Sequence, residues 1–373
     1  MTRILYFGRI DTRYMATWQK VHFMDELYHY GFEFDIFNPF EFESWDEANE
    51  ALVKYVDKTR PAMFFTLTGS TKSLFVCSIE SIKKMGIPTL FFVSDSLATP
   101  YEDKEIACHF DLVWITEPET KYLYDRWKIK TIVAPYAANP YIFNMVENNF
   151  RPAACFIGRA HGSRANMINA LATGGEIQID IFDKNNDNGL IVKSTGNQLK
   201  GNIPPAYQTF LNYTKYKVGR KLLWSSFINR FVNKQNKVMY FFNVHHLESL
   251  PYDEMARVYS EYRLALSSTS YHNTDVLKQP VEVINLRSFE IPMSGGLQIC
   301  RYNSYLAKQY EEGKEIIFYR SEEELRSKAN YYINKATDCE IKKLKSAART
   351  RSVNDHTWFK RFEIVFKEFG IQH

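Results

Sequence analysis

The chain has 373 residues, a net charge of +4, 45% hydrophobic residues and 24% charged ones. That length favours two domains of about 150 to 200 residues over a single core, and so small a charge excess leaves no electrostatic footprint for nucleic acid. Aromatic content is high, with 28 Phe and 24 Tyr, in an otherwise ordinary globular composition.

Five cysteines, Cys77, Cys108, Cys155, Cys300 and Cys339, are scattered and mostly set in apolar runs. Without CxxC or Cys/His spacing they read as small core residues in a reducing compartment. Met1 to Gly8 begins a strand at once, and no apolar run reaches the ~18 residues of a membrane span, so the expected location is cytoplasmic.

In chain order, Arg3 to Gly8 is a short apolar strand ending in glycine. Thr17 to Tyr30 has helical spacing through Trp18, Val21, Met24 and Tyr28, closed by Gly31. Strands follow at 32–37, 62–67, 88–93, 112–116 and 131–134, with helices at 73–85 and 118–127. Strands alternating with helices imply a parallel sheet covered on both faces, whose ligands bind at the C-terminal strand ends. Gly8-Arg9, Thr68-Gly69-Ser70, Ser94-Asp95-Ser96 and Thr116-Glu117 are therefore expected to face one cleft, and Asp95 is the candidate base among them.

Pro135 to Pro152 is rich in proline and polar residues and reads as the connection between domains 1–150 and 151–355. The second domain opens as the first does: Ala154 to Ile157 is a strand, Gly158-Arg-Ala-His-Gly-Ser-Arg164 a turn, and 165–172 a helix. Free N–H groups and the guanidinium forks of Arg159 and Arg164 at a helix N-terminus suit a diphosphate, although such turns are often only turns.

After a strand at 177–182 the alternation breaks. From Asn188 to Leu247 there is no acidic residue, while nine lysines and arginines are interleaved with aromatics such as Trp224, Phe227 and Phe231. A basic, aromatic insertion at about 187–240 can lie on an anionic membrane through 193–237, grip an anionic acceptor, or be a solvated helical hairpin. Alternation resumes with a strand at 238–244, a helix at 251–260 and a strand at 263–266 that exits through Ser267-Ser-Thr-Ser270. A strand at 316–318, a capped helix from Ser321 and a long basic helix from Glu340 to Phe369 complete the chain.

Between these lies Asn285-Leu-Arg-Ser-Phe-Glu-Ile-Pro-Met-Ser-Gly-Gly-Leu-Gln-Ile-Cys300, which reads as helix, tight turn and strand. Glu290 could accept two hydroxyl hydrogen bonds, as a ribose needs, and Gly295 and Gly296 could let a ligand reach backbone N–H groups. Equally, Glu290 could complement the helix dipole and the glycines could close the helix. Arg287, one turn before Glu290, could hold phosphate or simply pair with that carboxylate. Glu282 is a second carboxylate eight residues upstream. No Gly-x-Ser-x-Gly, Gly-x-x-x-x-Gly-Lys or Asp-x-Asp motif occurs, so a transferase here is expected to stabilise its leaving group with N–H groups and basic side chains.

The segment Asn285-x-Arg287-x-Phe289-Glu290-Ile-Pro-x-x-Gly295-Gly296, the later Glu-Gly-Lys-Glu-Ile-Ile-Phe block, the Glu-Glu-Leu helix and His356-Thr-Trp-x-x-Arg361 resemble the C-terminal domain of the spore-maturation-protein CgeB-like glycosyltransferases. Phe156-Ile-Gly-x-x-x-Gly-x-Arg164 and Leu250 to Ser260 are similar to that family's domain start and preceding helix. The resemblance covers most of residues 154–367. It implies an α/β fold of the GT-B type, two Rossmann-like domains with parallel sheets facing a central cleft, with a terminal helix, 356–373, returning to the first. It further implies a nucleotide-sugar donor, most simply a UDP-sugar, held by the second domain without a cofactor or catalytic metal. The acceptor, a glycan, lipid-linked or protein, is held by the first. By position Glu290 matches the ribose-binding second glutamate of the Glu-x7-Glu pattern of retaining relatives, and Glu282 falls at the spacing of the first. The diphosphate falls to Gly158, Arg159, Arg164 and Arg287, with Gly295 and Gly296 permitting its approach. A non-catalytic sugar-nucleotide or glycan-binding protein and a nucleotide-sugar epimerase remain the alternatives.

Overall fold

The computed structural model describes all residues except 11–16, 95, 146–148, 185–205, 232–236 and 373. The elements run β1 (Thr2–Phe7), α1 (Asp25–Tyr28), β2 (Phe32–Phe37), α2 (Trp45–Thr59), β3 (Met63–Thr66), α3 (Val76–Lys84), β4 (Thr89–Val93), α4 (Pro100–Ala107), β5 (Leu112–Ile115), α5 (Lys121–Arg126) and β6 (Thr131–Val133). They continue with β7 (Arg151–Ile157), α6 (Ser163–Ala172), β8 (Ile179–Lys184), α7 (Ala206–Thr214), α8 (Lys217–Ile228), β9 (Val244–Glu248), α9 (Tyr252–Glu261), β10 (Tyr262–Leu266), α10 (Arg287–Met293), β11 (Gln298–Arg301), β12 (Ile317–Tyr319), α11 (Glu322–Asn330), α12 (Asp338–Asp355) and α13 (Trp358–Phe369).

The chain divides into two compact units, one of Met1–Pro135, Ile191–Arg220 and Trp358–His373, the other of Tyr136–Leu190 and Lys221–Thr357. This partition differs from the expected one, because the junction lies at 135/136 and Ile191–Arg220 groups with the first unit.

The first unit is built on a six-stranded sheet of order β2-β1-β3-β4-β5-β6. Every pairing is parallel, which explains why the inner strands β3, β4 and β5 read as apolar runs buried on both faces. Much of the aromatic content sits here. Phe362 of α13 packs on Phe23, Phe65 and Trp114 with ring centroids 5.3–5.8 Å apart, and Phe366 stacks on Phe32 at 4.3 Å. The fully buried Glu26 accepts from the backbone N–H groups of Trp358 and Phe359 at 3.1 and 2.7 Å, which caps α13, while Trp358 Nε1 donates to His22 Nδ1 at 3.1 Å.

The second unit has a six-stranded sheet of order β12-β11-β10-β7-β8-β9, again all parallel. In strand sequence this is the doubly wound arrangement, with its reversal point between β7 and β10. Ile168, Leu171, Leu325 and Ile341 from α6, α11 and α12 pack with Ile179, Leu264 and Ile299 in one cluster. Met255, Tyr259, Phe289 and Ile291 from α9 and α10 pack with Cys155, Ala265 and Cys300 in another.

Three element expectations change. The helix expected over 340–369 is two helices, α12 and α13, because His356 leaves helical geometry at φ −126° and ψ 33° and packs against Phe289 and Tyr310. The strand expected at 238–244 is β9, further along, where His245 and His246 meet Asp180 and Asp183 of β8. The helices α2 and α4 complete the alternation in the first unit, their polar faces having hidden a period that is plain in the structure.

Candidate functional site

In a doubly wound sheet the ligand crevice opens outside the strand ends where the order reverses. In the second unit that point lies beyond β7 and β10, and the two segments leaving it are Gly158–Arg164 and Ser267–Ser270. Gly158 has φ +117°, and a Cβ on it would lie 2.9 Å from Nη1 of Arg287, so glycine here leaves room for a guanidinium. Gly162 stands before α6 at φ 60° and ψ −132°, a region closed to other residues, and a Cβ there would meet Oδ1 of Asn273 at 2.1 Å.

This geometry aims the N-terminus of α6 at the crevice. The N–H groups of Ser163, Arg164 and Ala165 have no intrahelical acceptors, no side chain caps them, and the first turn holds no acid. Arg164 instead places a cation at the positive end of the helix dipole, an unfavourable arrangement in the absence of an anion. Burial, and then the neighbouring Arg287, pull the pKa of Arg164 down to about 10. Arg287 donates from Nη1 to the carbonyl of Ile157 at 3.0 Å, lies over the ring of Phe156 at 5.4 Å, and has a buried Nε without a hydrogen-bond partner. Neither arginine is in an ion pair among the described residues, so two guanidiniums and a helix N-terminus converge with no resident counter-charge. The chemistry suited to that arrangement is the binding of a multiply charged anion.

Hydroxyl groups complete the rim. Ser163 Oγ lies 3.4 Å from Ser268 Oγ, and Asn285 Nδ2 donates to the Ser268 carbonyl at 2.8 Å. A small open cleft of about 70 Å³ adjoins them, lined by Ser163, Ser268, Ser270, Asp275, Arg301 and Tyr319 among others. Ser163 and Ser268 were not singled out in the sequence. The signal available was the Ser267–Ser270 run at the end of β10, a strand end that only the sheet order identifies as the reversal point.

The remaining expected site residues fall as follows. Arg159 is exposed and contributes its carbonyl, to which Arg164 Nη1 donates at 3.3 Å. Glu290 is 3% exposed on α10, and the local pair with Arg287 that stood as the alternative to ligand binding is not formed. Glu282 Oε2 accepts from Ser304 N and Oγ at 2.9 and 2.5 Å, which ties this carboxylate to a neighbouring loop. Gly295 has φ +69° and donates to the Pro292 carbonyl, while Gly296 donates to that of Ile291. These two bonds are a glycine closure of α10, and a Cβ on Gly296 would sit 3.0 Å from backbone oxygens of Ile291 and Tyr259. The reason expected for the paired glycines, free N–H groups for a ligand, is therefore corrected, since both groups are spent inside the protein. Asp95 lies outside the described residues; beside it, the buried Ser96 donates to Glu117 Oε2 at 2.9 Å at the strand ends of the first unit. Among the described residues no group of three or more His, Cys, Asp or Glu is placed to hold a metal ion, and no helix is long and apolar enough to cross a membrane.

Two parallel six-stranded units of this kind are the GT-B fold of the glycosyltransferases. Residues 212–367, somewhat less than half of the chain, match the glycosyl transferase-like family model. No curated protein matches the chain in sequence. Among solved structures it is similar to HepE of Anabaena in complex with UDP and glucose, at 10% identity and a TM-score of 0.59 over 100% of both chains. It is similar too to a sucrose-phosphate synthase of Thermosynechococcus elongatus, at 12% identity and 0.56 over 100% of both. A glycosyltransferase of Rickettsia africae gives 12% and 0.56, over 100% of this chain and 99% of that one.

Proposed function

We propose that the protein transfers a sugar from a UDP-sugar to an acceptor, as a member of the CgeB-like group, with the donor held by its second unit. The observation that carries this reading is the convergence of Arg164, Arg287 and the uncapped start of α6 beyond β7, two half-buried cations and a helix N-terminus without an anion among the described residues. Glycosyl transfer passes through an oxocarbenium-like state with charge building on the departing diphosphate. Groups fixed in place to receive that charge lower the barrier because they need no reorganisation as it develops. In this assignment Arg164 and Arg287 neutralise the diphosphate, the N–H groups of Ser163 to Ala165 bind its oxygens, and Glu290 accepts from ribose hydroxyls.

The relative solved with UDP and glucose supports UDP as the nucleotide. The acceptor is a glycan, lipid-linked or protein, met by a cytoplasmic enzyme at an anionic membrane face that the basic segment within 193–237 touches. The test is nucleotide release from a panel of UDP-sugars with and without candidate acceptors. Acceptor-dependent UDP release is the expected result. Interconversion of the donor without an acceptor would assign an epimerase, binding without turnover a non-catalytic receptor, and neither binding nor turnover would overturn the reading.

A further inference from the structure

An amphipathic helix on a protein surface ordinarily turns its apolar stripe inward and its polar residues out. α8 does the first and not the second. Val218, Leu222 and Ser225 form its buried side, while Trp224 and Phe227 on the opposite side, and Phe231 in the turn that follows, are 56%, 52% and 75% exposed. The three rings form a ladder, Trp224 stacking on Phe227 at 5.5 Å and Phe227 meeting Phe231 at 5.0 Å, so that they cover one another rather than a core. Cations flank the ladder. Lys221 and Arg230 bracket it, Lys217 and Arg220 precede it on the same helix, and none of the four has an acidic partner among the described residues. No acid occurs anywhere between Asn188 and Leu247.

We propose that the outward face of α8 and the turn after it form an anchor for an anionic phospholipid surface. The rings of Trp224, Phe227 and Phe231 enter the boundary between headgroups and acyl chains, and the flanking cations meet lipid phosphate. This names the residues of the membrane contact advanced above and rests on that contact, not on the donor chemistry. Charge complementarity selects lipid over a sugar chain as the occupant. A sugar-stacking platform needs carboxylates or amides around its rings to bind hydroxyls, whereas this face offers cations, one indole and two phenyl rings. Neither signal suffices alone: a short aromatic wedge binds weakly, and cations near an anionic surface add about fivefold each.

Co-sedimentation with vesicles tests the proposal, using phosphatidylcholine alone and phosphatidylcholine with a third phosphatidylglycerol. The full chain is expected in the pellet with the anionic vesicles only, and to be released by salt. The variant W224S/F227S/F231S is expected in the supernatant with both, and R230Q is expected to bind about fivefold more weakly. Circular dichroism and UDP binding serve as controls and should match wild type in both variants. Wild-type protein that stays in the supernatant, binding indifferent to anionic lipid, or a ring variant that pellets like wild type would each overturn the anchor. Because UDP binding is read on the same samples, its absence would strike the transferase reading and leave the vesicle result standing.

Discussion

Replacing Arg164 with Met keeps the aliphatic stem and removes the charge. Burial and the neighbouring Arg287 lower the pKa of Arg164 to about 10, a fall worth roughly 3 kcal/mol against the charged form in the folded state. Because the folded value lies below that of an unfolded arginine, this cost is present in full at neutral pH and fades only as pH rises through about 10. Arg164→Met removes it, and loses the 3.3 Å hydrogen bond to the Arg159 carbonyl, worth about 1 kcal/mol. The unliganded variant is thus expected to gain about 1–2 kcal/mol and to melt a few degrees higher. Its affinity for UDP moves the other way, falling roughly ten- to a hundredfold as one charge-assisted contact of about 1.5–3 kcal/mol is lost. Scanning calorimetry with and without UDP reads both. A variant that loses stability without ligand and binds UDP as wild type does would show that Arg164 is a structural arginine, and the anion site would have to be abandoned.

Glu290→Gln is expected to weaken UDP binding about tenfold and to narrow the preference for UDP over its 2′,3′-dideoxy form; an unchanged preference would remove Glu290 from the ribose. Lys345 is fully buried, donates to the carbonyls of Ser260 and Tyr262 at 2.6 Å, and is lowered to about pKa 7, chiefly by burial. Between that value and the ordinary lysine range the unfolded chain binds more protons, so stability should rise with pH across this window. In Lys345→Met the rise should flatten, as read from urea midpoints at about pH 7 and about pH 9; an equal slope in both proteins would contradict the assignment. Glu26→Ala leaves two backbone N–H groups at the start of α13 without an acceptor in a buried place. It should cost about 2–4 kcal/mol in urea unfolding, and a loss below about 1 kcal/mol would mean that the cap is dispensable.

How far the sequence speaks for the structure varies with what each residue answers to. The inner strands of both sheets were legible because parallel strands buried on both faces appear as apolar runs: Met63–Thr66 and Leu112–Ile115 need no partner to be recognised, whereas the edge strand β9, with its two histidines and half-exposed faces, was expected too early in the chain. The cap of α11 was equally plain, Ser321 accepting from Glu324 N–H as a hydroxyl and first-turn acids predict. The break between α12 and α13 was not, because both sides of His356-Thr357 have helical character and the interruption comes from tertiary contacts: His356 seats on Phe289 and Tyr310, and Glu26 caps the next helix. The site divides in the same way. Gly158, Arg164 and Arg287 stand out from neighbouring residues, but their juxtaposition depends on β10 lying beside β7, a pairing between segments about a hundred residues apart.

The two readings of Asn285 to Cys300 were competing accounts of one helix, and the geometry assigns its two ends differently. At the C-terminal end Gly295 and Gly296 give their N–H groups to Pro292 and Ile291, so this end is a helix closure and owes nothing to a ligand. At the N-terminal end Arg287 is a cation where the helix dipole favours an anion, and the acid one turn on does not pair with it. Its Nη1 reaches instead across to the carbonyl that ends β7, which sets it beside Arg164, whose charged form burial and that neighbour disfavour. Two arginines side by side at the uncapped start of α6 are what an anion delivered from outside would make favourable, and for that reason Arg164→Met separates a binding site from a merely crowded corner.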